Sequence, residues 1–105
     1  MTLHELATRA EQAEGANYAL DVEISDAIWR MKWGKRRPKD IKVQPYTASL
    51  DAALMLVPEG CGFAIMGNGA KVGNGAKVGR HIGASSTPAL ALTAAALRAM
   101  AKEDV

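Results

Sequence analysis

Residues 87–103 read TPALALTAAALRAMAKE, and the reading of this stretch decides the fold. Thr87, or Ser86 before it, is a natural N-cap, Pro88 suits a first helical turn, and Leu90, Ala94, Leu97 and Ala101 recur on one face. A second stripe, Leu92, Ala95, Ala96 and Ala99, covers another face. A helix that is apolar on nearly every side is either deeply buried or shared with a partner. The second option predicts a homo-oligomer with the stripe at 92–99 as its seam.

Just upstream, residues 67–84 read GNGAKVGNGAKVGRHIGA, in which GNGAKV at 67–72 recurs at 73–78. Asn68-Gly69 and Asn74-Gly75 favour the two-residue hairpin turn that needs positive φ at both central positions. One reading is a meander with a middle strand of only about three residues, a length at which strands are weak. The other is a single hairpin or loop over 67–79, lengthened by duplication, with the return strand near Val78 to Ile82. The second is preferred. Cys61 to Met66 (CGFAIM) reads as the outgoing strand, with Phe63 and Ile65 on one face.

Three helices precede the strands. Thr2 and Glu5 form a capping box, followed by Leu3, Leu6, Ala7, Ala10 and Ala13 at helical spacing and a stop at Gly15. A second helix spans about Leu20 to Met31, broken by Gly34 and Pro38. A short third begins at Ser49, carries Leu50, Leu54 and Val57 inward, and ends at Pro58-Glu59-Gly60. The expected class is α+β: helices layered on a small antiparallel β-sheet in the order α-α-α-β-β(-β)-α, as one domain over residues 1–105.

The segments YTASLDAALMLVPEG (46–60) and TPALALTAAALRAM (87–100) resemble the phage "ABA sandwich" domain proteins, small phage and prophage proteins of mostly unknown function. The resemblance covers roughly residues 46–100. It implies helices layered about a small antiparallel sheet and no particular activity. Two features depart from the family pattern: Cys61-Gly62 stands where an aromatic residue usually follows Pro-Glu-Gly, and GNGAKV is repeated. Both fall in the strand region.

Composition excludes several classes. No run of about 18 apolar residues is present to span a membrane. The opening MTLHELATRAEQAE is charged and helix-patterned rather than signal-like, which points to the cytoplasm; the phage resemblance implies that of an infected or lysogenic bacterial host. Cys61 is the single cysteine, and with only His4 and His81 beside it no metal site is expected. No nucleophile elbow, zinc-protease helix or P-loop occurs, and no cofactor is implied. Cys61 with His81 as base is the nearest approach to a catalytic pair, and nothing in the sequence orients His81. The expectation is a protein that is not an enzyme.

The net charge of +2 conceals segregation. Residues 1–29 hold six acids (Glu5, Glu11, Glu14, Asp21, Glu23, Asp26) against Arg9, whereas residues 30–42 hold seven bases against Asp40. The acids read as an exposed surface, able to face the bases of a second subunit or to mask a nucleic-acid-binding surface. The run WRMKWGKRRPK at 29–39 is the binding candidate: cationic side chains hold phosphate oxygens and indoles stack on bases. The alternative is one structural tryptophan amid solvated charge. The expected ligand-binding residues are Trp29, Arg30, Lys32, Trp33, Arg36 and Arg37, joined by Asn68, Lys71, Asn74, Lys77, Arg80 and His81 of the glycine-rich segment.

These readings point to a non-catalytic phage or prophage accessory protein. The leading expectation is an antagonist of host anti-phage defence. It would either sequester a nucleotide immune signal, with a phosphate-bearing nucleotide as ligand, or block a defence effector protein as anti-CRISPR proteins do. One rival is a nucleic-acid-binding module. The order helix–strands–Ala-rich helix is similar to double-stranded-RNA-binding domains, but the last helix opens without their lysine cluster. The other rival is a virion structural or assembly component.

Overall fold

A computed structural model describes residues 2–57, 62–67, 74–78, 81–85 and 87–103. The chain is of mixed α and β structure. Its elements are α1 (Leu3–Gln12), α2 (Tyr18–Trp33), α3 (Leu50–Leu54), β1 (Phe63–Gly67), β2 (Asn74–Val78), β3 (His81–Ser85) and α4 (Pro88–Glu103). Among the described residues no helix is long and apolar enough to cross a membrane.

The stretch that decides the fold forms its centre. Thr87 caps α4 by accepting from the Leu90 N–H at 3.2 Å. Every residue from Leu90 to Leu97 is fully buried, because α4 packs on α1, on α3 and on all three strands. Leu90, Leu92 and Leu97 each contribute about 1.5–3 kcal/mol by this burial. The alanines contribute closeness instead. The stripe Leu92, Ala95, Ala96 and Ala99 is therefore not a spare seam: all four lie in the core of this one chain, 0–3% exposed. Of the two options for an all-round apolar helix, deep burial is realised.

β2 lies between β1 and β3 and runs antiparallel to both. Ile65, Ala76 and Gly83 are register partners in one row, and Phe63, Val78 and His81 in another. Ala76 and Val78 are fully buried, which places these β2 positions on the sheet face that α4 covers, while Phe63 on β1 is exposed. At Gly83 the approach is closest: a Cβ there would meet the Ala91 carbonyl oxygen at 2.3 Å and the Ala95 nitrogen at 2.7 Å. Only glycine fits.

Three sequence expectations change here. The second GNGAKV unit is not a loop extension, since Asn74–Val78 are the central strand. Its small residues are what let α4 lie close, and the strand is five residues long rather than three. The return strand is His81–Ser85, not Val78–Ile82. In α3 the fully buried positions are Ala52, Ala53 and nearby Leu56, while Leu50, Leu54 and Val57 pack only partly against the core. A helix of five residues is too short for a continuous stripe to select one face.

α1 carries the expected capping box, with Glu5 N–H donating to Thr2 Oγ1 at 3.1 Å and Thr2 N–H donating to Glu5 Oε1 at 3.4 Å. It stops at Gln12, before Gly15. The Ser85 hydroxyl serves its open C-terminal carbonyls, lying 3.0 Å from the Ala10 oxygen and 3.1 Å from that of Glu11. Among the helices α2 packs on α1 alone, and it touches none of the strands. Its buried residues are Leu20, Asp21, Ile24 and Ser25, all in its N-terminal half. From Asp26 onward every residue is half-buried or exposed. In the second half of α2, Ala27, Ile28 and Met31 pack partly buried against the core, while Arg30, Lys32 and Trp33 are exposed.

Candidate ligand-binding surface

The second half of α2 ends at Trp33, where Gly34 adopts the left-handed conformation (φ 68°) and donates its N–H to the Arg30 carbonyl at 2.7 Å. Glycine takes this conformation without the steric cost other residues bear. The cap stops the helix and turns the chain into the basic segment 35–42.

Helical spacing puts Trp29 and Trp33 one turn apart on one side, and their rings meet with centroids 4.2 Å apart and planes 33° apart. Trp29 is half-buried, and its indole N–H is buried with no acceptor among the described residues. Ring packing, rather than a hydrogen bond, holds it. Trp33 is 55% exposed, with the Lys32 ammonium 5.9 Å from its ring centroid. Trp29 is the structural indole, and Trp33 the presented one.

Arg37 returns the loop to the helix. Its Nε donates to Asp26 Oδ1 at 2.9 Å, and its Nη1 donates to the carbonyls of Pro38 and Ile41. Sequence reading placed Arg37 with the ligand-binding groups, but this guanidinium is half-buried and fully engaged within the fold. It is a positioning residue. By contrast Arg30, Lys32, Lys35, Arg36, Lys39 and Lys42 are exposed and have no carboxylate partner among the described residues.

The expected acidic surface dissolves on inspection. Asp21 is 3% exposed, accepting the Thr47 backbone N–H at 2.8 Å. It pins the 44–49 loop, as does Thr93, which donates to the Tyr46 carbonyl at 3.1 Å. Burial pushes the Tyr46 phenol above the usual tyrosine range; the nearby Ser25 hydroxyl opposes that and Asp21 adds to it. Glu23 pairs with Arg9, Asp26 with Arg37, and Glu11 with Arg98. The acids of 1–29 are thus largely engaged within the chain, whereas of the seven bases at 30–42 Arg37 alone joins an ion pair among the described residues.

The Glu11–Arg98 pair has a second task that the sequence does not announce. Arg98 reaches Glu11 through both terminal nitrogens, at 2.8 and 2.5 Å. Glu11 also accepts the Ala84 N–H at 3.0 Å, and Arg98 donates to the Ile82 carbonyl at 2.7 Å. The two side chains together take up one N–H and one carbonyl of the outer edge of β3. Edge strands left open are templates for association. The Arg98 hydrogen bond holds the Glu11 carboxyl below its usual range, with partial burial opposing it and the Ala84 N–H assisting.

The remaining predicted site residues are not gathered at Trp33. Asn74, Lys77 and His81 lie on β2 and β3, which α2 does not touch. Asn68, Lys71 and Arg80, like the candidate nucleophile Cys61, lie outside the described residues. Among the described residues no cluster of three or more His, Cys, Asp or Glu is arranged to hold a metal ion. A groove of about 680 Å³ runs between α1 and α2, floored by Leu3, Leu6, Ala27 and Met31, with Arg30 on its rim. A smaller one of about 250 Å³ lies beside the start of α4.

Compared with protein-family models, curated proteins and solved structures, the chain matches none.

Proposed function

We propose that the protein acts by binding rather than catalysis, and that it captures a phosphate-bearing partner on the basic end of α2. One observation carries this reading. The arginines at 9, 37 and 98 are paired with carboxylates inside the fold, while six exposed bases between 30 and 42 flank a half-exposed tryptophan in sequence and have no such partners among the described residues. Unpaired cations around an aromatic face are what phosphate and base recognition require. The helices layered on the small antiparallel sheet are, in this reading, the scaffold that presents the C-terminal end of α2.

In the phage setting that the ABA-sandwich resemblance implies, such capture serves as host-defence antagonism in the bacterial cytoplasm. Masking of an effector through an acidic face is disfavoured, since Glu11, Asp21, Glu23 and Asp26 are buried or ion-paired.

The test is a titration of sodium polyphosphate followed by tryptophan fluorescence over a salt series. Affinity falls as salt rises, in proportion to the phosphates neutralised. A Lys35→Ala/Arg36→Ala double variant binds about tenfold more weakly or worse, yet melts like the parent. Equal binding by parent and variant would remove the basic segment from this role.

A further inference from the structure

We infer that the partner is a single-stranded nucleic acid, held through its backbone and the faces of its bases rather than by sequence; this rests on the phosphate-binding reading above. Three observations on α2 and its loop carry it.

The first is the openness of the surface. Neither groove described above is lined by Trp33, Lys32, Lys35 or Arg36. A lone nucleotide on such a surface gains one stacking contact and one or two screened charges, which is weak retention. A strand gains the same contacts repeatedly along its length.

The second is the order of the groups. Arg30 and Lys32 precede Trp33, and Lys35, Arg36 and Lys39 follow it, with the Arg37–Asp26 bond holding the later part against the helix. Asp26 lies seven residues before Trp33, about 10 Å along the axis. The basic segment is therefore held beside the helix instead of trailing away. Cations before and after one aromatic platform fit a polymer passing over it, with phosphates to either side of the stacked base.

The third is the presentation of Trp33. Trp29 braces it at 4.2 Å and Lys32 sets a positive charge by its ring, so little ordering remains for the ligand to impose. In a duplex both faces of each internal base are already covered by neighbours, and an indole finds nothing to stack on. In a single strand the bases can be splayed onto it. The end of α2 is also a helix C-terminus, whose dipole repels phosphate. The long side chains, not the helix itself, must make the contacts, which suits an extended strand better than a groove-filling helix.

The experiment titrates the full chain against three probes: a labelled deoxythymidine oligomer about 15 nucleotides long, a duplex of the same length, and sodium polyphosphate. The expected result is single-strand binding at least about tenfold tighter than duplex binding, with quenching of tryptophan emission. Trp33→Ala should weaken single-strand binding by about five- to a hundredfold and polyphosphate binding far less, with Trp33→Phe restoring most of the loss. Its melting midpoint verifies that the exposed substitution leaves the fold intact. If the duplex binds as tightly, or if Trp33→Ala alters single-strand and polyphosphate binding equally, the inference fails and the phosphate-binding reading stands. If none of the probes binds, both fall.

Discussion

Two arginine-bearing corners of this protein use the same chemistry to opposite ends. At the β3 edge, Arg98 is matched to Glu11 and to a strand carbonyl, and nothing is left over for a partner. At the end of α2, Arg37 is matched in the same manner to Asp26, but the bases around it are not. The first corner closes a surface that would otherwise invite association. The second holds one open. The difference lies in carboxylates: each paired arginine has one at bonding distance, whereas the segment 30–42 contains only Asp40, which is exposed and joins none of the ion pairs. Charge content alone does not distinguish the corners; pairing does.

The largest effect is expected where α4 meets the sheet behind the closed corner. Gly83→Ala forces a methyl against the Ala91 carbonyl, which is backbone and cannot swing aside. A loss of about 3 kcal/mol is expected in urea denaturation. A change under about 0.5 kcal/mol, typical of a surface site, would show that α4 can lift off β3.

Next comes the corner itself. Glu11→Gln or Arg98→Ala should cost about 1–2 kcal/mol, since both side chains are mostly buried and each leaves a polar partner stranded. Arg98→Ala also bares the Ile82 carbonyl on the β3 edge, so self-association of that variant should appear in sedimentation velocity. The pH dependence has a definite sign. Glu11 is held below its ordinary carboxyl value of 4.5, so the unfolded chain takes up that proton first as pH falls. The stabilisation is present above about pH 4.5 and is lost as pH drops through the lowered folded value. Thermal melts from neutral pH downward should show that loss in the parent and lack it in Glu11→Gln.

How much of this could be read beforehand depends on whether the signal is local. The capping box at Thr2 and Glu5, the Ser49 cap and the helix after Thr87 are local patterns, and they are where the spacing puts them. The basic, tryptophan-bearing run was equally legible as composition. What spacing could not supply was partnership. Glu11 and Arg98 lie 87 residues apart, and nothing in either neighbourhood marks the other. Asp21 reads as surface charge until the loop at Thr47 folds over it. The repeat GNGAKV misleads because its glycines signal a turn, while its role as the central strand depends on α4 burying Ala76 and Val78.

At the open corner stability hardly changes and binding does. Lys35→Ala/Arg36→Ala should shift unfolding by less than about 0.5 kcal/mol while weakening polyanion binding in the same preparation. A matching loss of stability would mean that these side chains belong to the fold, like Arg37, and the contrast between the corners would narrow.

The smallest expected effect is the most discriminating. Asp26→Asn removes a negative charge near the open surface, and if long-range attraction alone governed binding, affinity for an oligonucleotide would rise. The same change weakens the bond to Arg37 Nε, which holds the basic segment against α2. If that placement matters, affinity falls by about two- to threefold despite the gain in net positive charge, because the freed segment must be reordered on binding. Arg37→Ala cannot make the distinction, since it removes a cation and a tether together. A rise in affinity for Asp26→Asn, measured by anisotropy at fixed salt, would mean that the open corner is a diffuse field of charge. A fall would mean that the arginine paired within the fold is what gives the unpaired ones their arrangement.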